Sequence, residues 1–185
     1  MPVAQLPDEE IVSRIQAGDR SGLGIAYEKY KRPLYNFCLR LLGDSSAAED
    51  AVHGTFLIIA QRAGTLNNSG AFRHWLYEIA RNEALMQLRR RNRFPTESSD
   101  SVWDSETPDT ILAGKELVAI VQEGLQHLRP DYREILLLRD IEGFTYAEIA
   151  RITDTTLSAV KSKIYKARNA LSRVVGPIEN ERTVR

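Results

Sequence analysis

The chain has 185 residues, of which 43% are hydrophobic and 27% charged, and its 25 basic and 25 acidic side chains cancel. These values are typical of a globular protein with one or two domains, and they exclude attraction to nucleic acid through net charge alone. The single cysteine, Cys38, excludes an internal disulfide, and no apolar run is longer than that at residues 56–60, which is far shorter than the roughly 20 residues that span a bilayer. Because the N-terminus also lacks a basic, apolar leader, we expect a cytoplasmic protein.

Apolar residues recur at helical spacing through the first half of the chain. The first predicted helix begins near Asp8 and ends at Gly18. A second helix is predicted to be capped by Ser21, and a third to carry Pro33 in its first turn and to end at Gly43. The sequence therefore predicts a series of short helices before residue 44.

Two more helices are predicted to follow in this half. Asp44 or Ser45 is expected to cap the first of them, which carries Val52 and Phe56 among its apolar residues. A loop from Gly64 to Gly70 separates it from a longer helix that begins near residue 72. Cys38 lies among apolar residues of the earlier segment, where a buried thiol is a commoner outcome than redox control.

Residues 96–111 differ from both flanks, because they contain five acids, seven Ser or Thr residues and no Lys or Arg. Such a segment cannot bury enough apolar surface to order itself. We therefore predict an all-α fold of two small helical domains, residues 1–95 and 112–175, joined by a flexible acidic linker and followed by a disordered tail, residues 176–185.

The second domain carries the signature of a helix-turn-helix. Thr145 is a good N-cap, and Glu148 completes a capping box at the start of a short helix. Residues 153–155 form a predicted turn, and Thr156 caps a second helix that is expected to run to about Val174.

The second helix of this motif has two different faces on a helical wheel. The predicted inward arc contains Leu157, Val160, Ile164, Ala167 and Leu171. The opposite arc contains Ser158, Ser162, Tyr165, Lys166, Asn169 and Arg173, with Ala159 and Lys163 beside it. Since residues 157–172 include no acid, this face suits the major groove of DNA, although a solvated lysine-rich face is the alternative.

A second basic cluster ends the first domain and contains Arg89, Arg90, Arg91 and Arg93. These residues either complement the helix dipole or contact phosphates. Upstream, Phe72, Trp75 and Tyr77 alternate with Arg73, His74 and Arg81. That pattern is typical of surfaces that stack single-stranded bases, but the spacing of Trp75 from Phe72 and Ile79 favours a mainly structural role for its ring.

Catalytic chemistry has no visible site. None of the three histidines, His53, His74 and His127, stands at metal-ligand spacing from another histidine or from Cys38. No glycine-rich phosphate loop or nucleophile elbow occurs. We therefore predict that the chain is not an enzyme, with no catalytic residue, metal, cofactor or small-molecule substrate.

Several of these segments together resemble a bacterial RNA polymerase sigma factor of the extracytoplasmic-function (ECF) group. The segments are AEDAVHGTFL (48–57), FRHWLYEIARNEALMQLRRRNR (72–93), YREILLLRDIEGFTYAEIA (132–150) and AVKSKIYKAR (159–168). The resemblance covers about residues 8–174 and has its motifs in the family's order. It implies recruitment of core RNA polymerase, recognition of the −35 and −10 promoter elements, opening of DNA, and control by an anti-sigma factor.

The resemblance also implies which residues bind. Docking on the clamp helices of the polymerase β′ subunit falls to Glu49, Asp50, His53, Phe56 and Leu57. The −10 element is assigned to Leu66, Asn67 and Asn68, which would trap a flipped base, and to Arg73, Trp75, Asn82, Arg89, Arg90, Arg91 and Arg93. The −35 element is assigned to Thr156, Ser158, Lys161, Ser162, Lys163, Tyr165 and Lys166.

The chain departs from the family pattern in two places. His53 and Gly54 stand where Gln and an acid are usual, and Gly54 costs about 1 kcal/mol against Ala in a helix, which makes the strength of docking a question. Thr153 and Asp154 replace the common Leu and Gly of the turn, and Asp tolerates left-handed backbone. Two other functions stay open at this stage: a helix-turn-helix regulator that binds DNA as a dimer without polymerase, and an enzyme or interaction module with no DNA role.

Overall fold

The computed structural model describes residues 6–62, 69–93 and 112–183, and all regular elements in these ranges are helices. The helices are α1 (Asp8–Gln16), α2 (Arg20–Leu42), α3 (Ser45–Arg62), α4 (Phe72–Arg93), α5 (Leu112–Gln126), α6 (Pro130–Leu136), α7 (Tyr146–Ile152) and α8 (Leu157–Thr183). They divide into two compact units, residues 1–99 and 100–185. The predicted all-α fold is confirmed, and the predicted acidic linker lies outside the described residues.

The first unit has an aromatic core between α2, α3 and α4. Phe37 and Tyr77 meet edge to face with ring centroids 5.3 Å apart, and Tyr30 meets Phe72 in the same way at 5.8 Å. All four side chains are buried. Burying a side chain of this size contributes roughly 1.5–3 kcal/mol, so this cluster fixes α4 against α2.

The sequence predicted two helices here, one capped by Ser21 and one with Pro33 in its first turn. The break predicted between them is wrong, because α2 is one continuous helix. Its N-cap is Asp19, whose carboxylate accepts a hydrogen bond from the Ser21 amide at 2.9 Å. Pro33 lies inside the helix and removes one backbone donor. Tyr30 and Leu34 are buried on either side of Pro33, and this packing offsets the cost of the proline. Gly43 ends the helix with φ 67°, as predicted.

The second unit has a buried arginine in its core. Arg133 of α6 is 7% exposed and donates hydrogen bonds to the backbone carbonyls of Leu125 and Gln126, at the end of α5, and of Leu128, just after it. Burial lowers the pKa of Arg133 to about 10, so the guanidinium stays charged at neutral pH. The side chain therefore satisfies carbonyls that the end of a helix leaves without partners.

The helix-turn-helix forms as the sequence predicts. The Thr145 hydroxyl accepts from the Glu148 amide while the Glu148 carboxylate accepts from the Thr145 amide, which completes the capping box. Asp154 adopts the left-handed conformation with φ 49°. The Thr156 hydroxyl accepts from the Ala159 amide at 3.2 Å and caps α8. Upstream, α6 continues as a π-helical turn, Leu137–Ile141, before Gly143.

The end of α8 differs from the prediction. The helix continues to Thr183 and does not end near Val174, so residues 176–183 are helical and the prediction of a disordered tail there is wrong. At Gly124 of α5 the two helices approach so closely that a Cβ would lie 2.7 Å from Val175 and 3.2 Å from Leu171. This contact packs the part of α8 around the predicted end against α5.

No helix within the described ranges is long and apolar enough to cross a membrane. Cys38 is fully buried, and burial, followed by the Glu83 carboxylate, raises the pKa of its thiol to about 12. The thiol is therefore protonated and inert at neutral pH, as expected for a structural cysteine.

Candidate docking face and DNA-binding surfaces

The predicted docking residues lie on the face that α3 shares with α2. Glu49, Asp50, His53 and Leu57 are exposed, and Leu57 is 52% exposed despite being apolar. Phe56 is the exception, since it is 8% exposed and reaches the surface only in the lining of a groove on this face. Its ring instead supports Tyr27 of α2, at 4.9 Å between centroids.

Two grooves flank His53 and Tyr27, which line both of them. One groove, of about 660 Å³, is mostly apolar and includes Leu57 in its wall. The other, of about 670 Å³, includes Glu49 and Asp50. The face therefore combines an apolar groove with an acidic edge, an arrangement that fits an amphipathic partner helix.

Gly54 does not belong to this face. A Cβ at position 54 would lie 2.5 Å from the carboxylate oxygen Oε2 of Glu83 on α4. The glycine therefore admits Glu83 between the two helices. Its departure from the family pattern is a feature of helix packing and does not alter the docking surface.

The predicted −10 residues divide into exposed and engaged side chains. Asn82, Arg89 and Arg90 are exposed on α4. Arg91 instead donates to the backbone carbonyl of Leu42 at 3.2 Å and ties the end of α4 to the end of α2. Arg73 lies 5.3 Å from the centre of the Tyr77 ring.

Trp75 is half-buried, with its ring centroid 6.4 Å from that of Phe72. The predicted packing of Trp75 in the core is therefore met in part, and its predicted stacking on a base stays a prediction. The predicted base-trapping residues Leu66, Asn67 and Asn68 lie outside the described residues, as does the side chain of Arg93.

The predicted −35 residues come together on one face of α8. Thr156, Ser158, Lys161, Ser162, Tyr165 and Lys166 are all exposed, and Tyr165 is 70% exposed. The opposite stripe is buried at Val160, Ile164 and Ala167. Leu157 departs from the helical-wheel prediction, because it is 45% exposed at the first position of the helix.

Two of the cations on α8 are engaged by aspartates of the preceding elements. Lys163 is half-buried and its Nζ lies 3.8 Å from Asp131 Oδ2. Arg168 Nη2 lies 2.5 Å from Asp140 Oδ1. Within the described parts of the chain, Lys161 and Lys166 lie near no carboxylate at ion-pairing distance. The sequence could not indicate these pairings, since the aspartates belong to other elements.

Comparison with known proteins identifies the class to which this arrangement belongs. Residues 26–94 match the Sigma-70 region 2 family, and residues 119–171 match the family described as Sigma-70, region 4. The first match covers most of α2 and all of α3 and α4, and the second covers the helix-turn-helix. A region 2 followed by a region 4 defines a sigma-70 factor of RNA polymerase.

Full-length relatives place the chain within that class. It is 29% identical over 191 residues to the RNA polymerase sigma-H factor of Pseudomonas aeruginosa, covering 97% of this chain and 99% of that protein. It is 28% identical over 186 residues to the ECF RNA polymerase sigma-E factor of Escherichia coli K12, covering 94% and 97%. The chain belongs to the ECF group of sigma factors, and the predicted sigma-factor function, in preference to a stand-alone regulator, is confirmed.

Solved structures share the fold. CnrH, solved in complex with the cytosolic domain of CnrY, matches with a TM-score of 0.70 at 21% identity, over 93% of this chain and 99% of that one. The sigma factor RpoE of Bartonella quintana, solved with the anti-sigma factor NepR, matches with a TM-score of 0.68 at 24% identity, over 82% and 94%.

Proposed function

We propose that three surfaces of this sigma factor divide the work of promoter-specific initiation. The α2–α3 face binds the clamp helices of the polymerase β′ subunit. The exposed Leu57 and the apolar groove beside it supply buried area, and Glu49 and Asp50 at the acidic edge supply charge complementarity. The sigma factor is also proposed to contact the polymerase β subunit.

The second surface is α4, which binds the −10 element with the loop before it. The exposed Asn82 is proposed to contact a base, and the exposed Arg89 and Arg90 are proposed to contact phosphates. The solvent-accessible part of Trp75 is proposed to stack on a base. Extruding a base costs a few kcal/mol, which stacking and hydrogen bonding offset, so this surface opens DNA without bond chemistry of its own.

The third surface is the cationic face of α8, which enters the major groove of the −35 element. The exposure of Ser158, Ser162 and Tyr165 beside Lys161 and Lys166 is the observation that carries this assignment. Hydroxyl groups and long cations reach base edges and phosphates, and a helix fits the width of the groove.

The chain is proposed to act in the cytoplasm as a non-enzymatic initiation factor, with catalysis left to the polymerase. Control by an anti-sigma factor is proposed by analogy with the two structural relatives, which were solved with NepR and with the cytosolic domain of CnrY. Such a partner would cover the docking face or the DNA-binding surfaces.

In vitro transcription tests the proposal. The purified chain is mixed with bacterial core polymerase and fragmented genomic DNA, RNA 5′ ends are mapped, and co-elution with core is measured in parallel. We expect discrete starts that share two upstream elements. Lys166→Glu should abolish most of these starts, because it places an acid in the groove-facing surface.

Arg129→Glu is the matched control. It reverses one charge on a side chain of the same unit that is 74% exposed, at the start of α6, and should leave the starts unchanged. A chain that binds promoter DNA tightly without core, and yields no specific starts with it, would contradict the proposal.

A further inference from the structure

Leu157 is an exposed leucine at the beginning of the helix that faces DNA. It is 45% exposed, whereas Val160 and Ile164, the next apolar residues of α8, are buried. The helix starts at this residue, directly after the Thr156 cap. The first turn of α8 therefore presents an apolar side chain that the fold does not cover.

The surroundings of Leu157 favour DNA as the group that covers it. Ser158, Lys161 and Ser162 are exposed in the same two turns, and residues 157–172 contain no acid. In a helix-turn-helix the N-terminal residues of the second helix contact base edges. The apolar group that a base pair presents in the major groove is the 5-methyl of thymine.

We propose that Leu157 contacts a thymine 5-methyl group in the −35 element and thereby helps to set promoter specificity. The inference rests on the proposed function of α8. Tyr165 follows eight residues later, about 12 Å along the helix axis, so it reaches a different base pair. Leu157 therefore adds a position of its own to the recognised sequence.

Replacement of single thymines by deoxyuridine tests this inference, because it removes the 5-methyl and nothing else. Each thymine on both strands of the mapped −35 element is replaced in turn, and the affinity of the holoenzyme is measured by competition. For the native chain, one replacement near the end contacted by the start of α8 should lower affinity about fourfold, as expected for one buried carbon group. Leu157→Ala should lower the affinity of the holoenzyme for the unmodified promoter. Replacing the same thymine by deoxyuridine should then cause no further loss of affinity.

Ile141→Ala is the matched control, since Ile141 is a 49% exposed aliphatic residue of the same unit outside α8. It should retain the native sensitivity to deoxyuridine, and thermal unfolding should show that both variants are folded. If the native chain gives specific transcription starts, but Leu157→Ala remains as sensitive to deoxyuridine as the native chain at every thymine, the inference is overturned and the proposed function stands. A lack of specific starts with the native chain would overturn the proposed function together with it.

Discussion

The two helices proposed to bind DNA, α4 and α8, differ in how they separate their two tasks. On α8 the buried stripe of Val160, Ile164 and Ala167 lies opposite the exposed Ser162 and Tyr165. On α4, Arg91 reaches the carbonyl of Leu42. On α8, the residues proposed to bind DNA and the residues that pack in the core thus lie on different faces. On α4, a residue proposed to bind DNA also makes a packing contact.

This difference explains how substitutions should act on each helix. A change on the outer face of α8 alters DNA binding and leaves the core intact, because its exposed side chains make few tertiary contacts. A change on α4 alters both, since Trp75 packs on Phe72 and also presents part of its ring to solvent. A variant of α4 therefore needs a measurement of stability before a loss of promoter opening can be interpreted.

The largest effect on stability should come from a substitution that disrupts the core beneath α8 and leaves the unit of α4 unchanged. Arg133→Ala leaves at least three carbonyls at and just after the end of α5 without their donor and should lower the stability of residues 119–171 by about 3 kcal/mol. Hydrogen exchange measured by mass spectrometry should show lost protection in α7 and α8 and unchanged protection in α3. Equal loss in both units would contradict the description of two separate cores.

A smaller effect should distinguish two lysines on α8 itself. Lys166→Gln should weaken promoter binding several-fold and reduce the slope of log affinity against log salt by about 1, as for the loss of one phosphate contact. Lys163→Gln should change the slope by less, because Lys163 is engaged by Asp131. Salt titration of holoenzyme binding measures both variants, and equal slope changes would show that the Asp131 pair opens on DNA.

The smallest effect on the free energy of unfolding is expected where α3 packs against α4. Replacing Gly54 by Ala favours the helix by about 1 kcal/mol, but here the new Cβ displaces the Glu83 carboxylate. Gly54→Ala should therefore gain less than this in the native chain and the full amount in a Glu83→Ala background. Denaturant unfolding of the four chains in this double-mutant cycle gives the coupling, and additive effects would show that Glu83 moves away without cost.

Local signals predicted the helix-turn-helix well, because its determinants are close in sequence. The Thr145–Glu148 capping box, the left-handed Asp154 and the Thr156 cap all form within a few residues of the chain. The exposed face of α8 followed from periodicity alone.

Features that depend on distant residues could not be predicted. The continuity of α2 through Pro33 is accompanied by the burial of Tyr30 and Leu34, and the close approach of α8 to Gly124 joins residues about 50 positions apart. The periodicity that predicts a buried Leu157 does not reveal that this residue is 45% exposed at the first position of α8. The candidate docking face was found through family resemblance, and the burial of Phe56 emerged only from its contact with Tyr27.

The two units are contiguous in sequence, which orders their appearance during synthesis. The described helices of the first unit end by Arg93, whereas the last described helix of the second unit ends at Thr183. Domains fold as units from the N-terminus while translation proceeds at about 5–20 residues per second. The first unit can therefore fold seconds before α8 is complete, so the surface proposed to bind polymerase forms before the surface proposed to bind the −35 element.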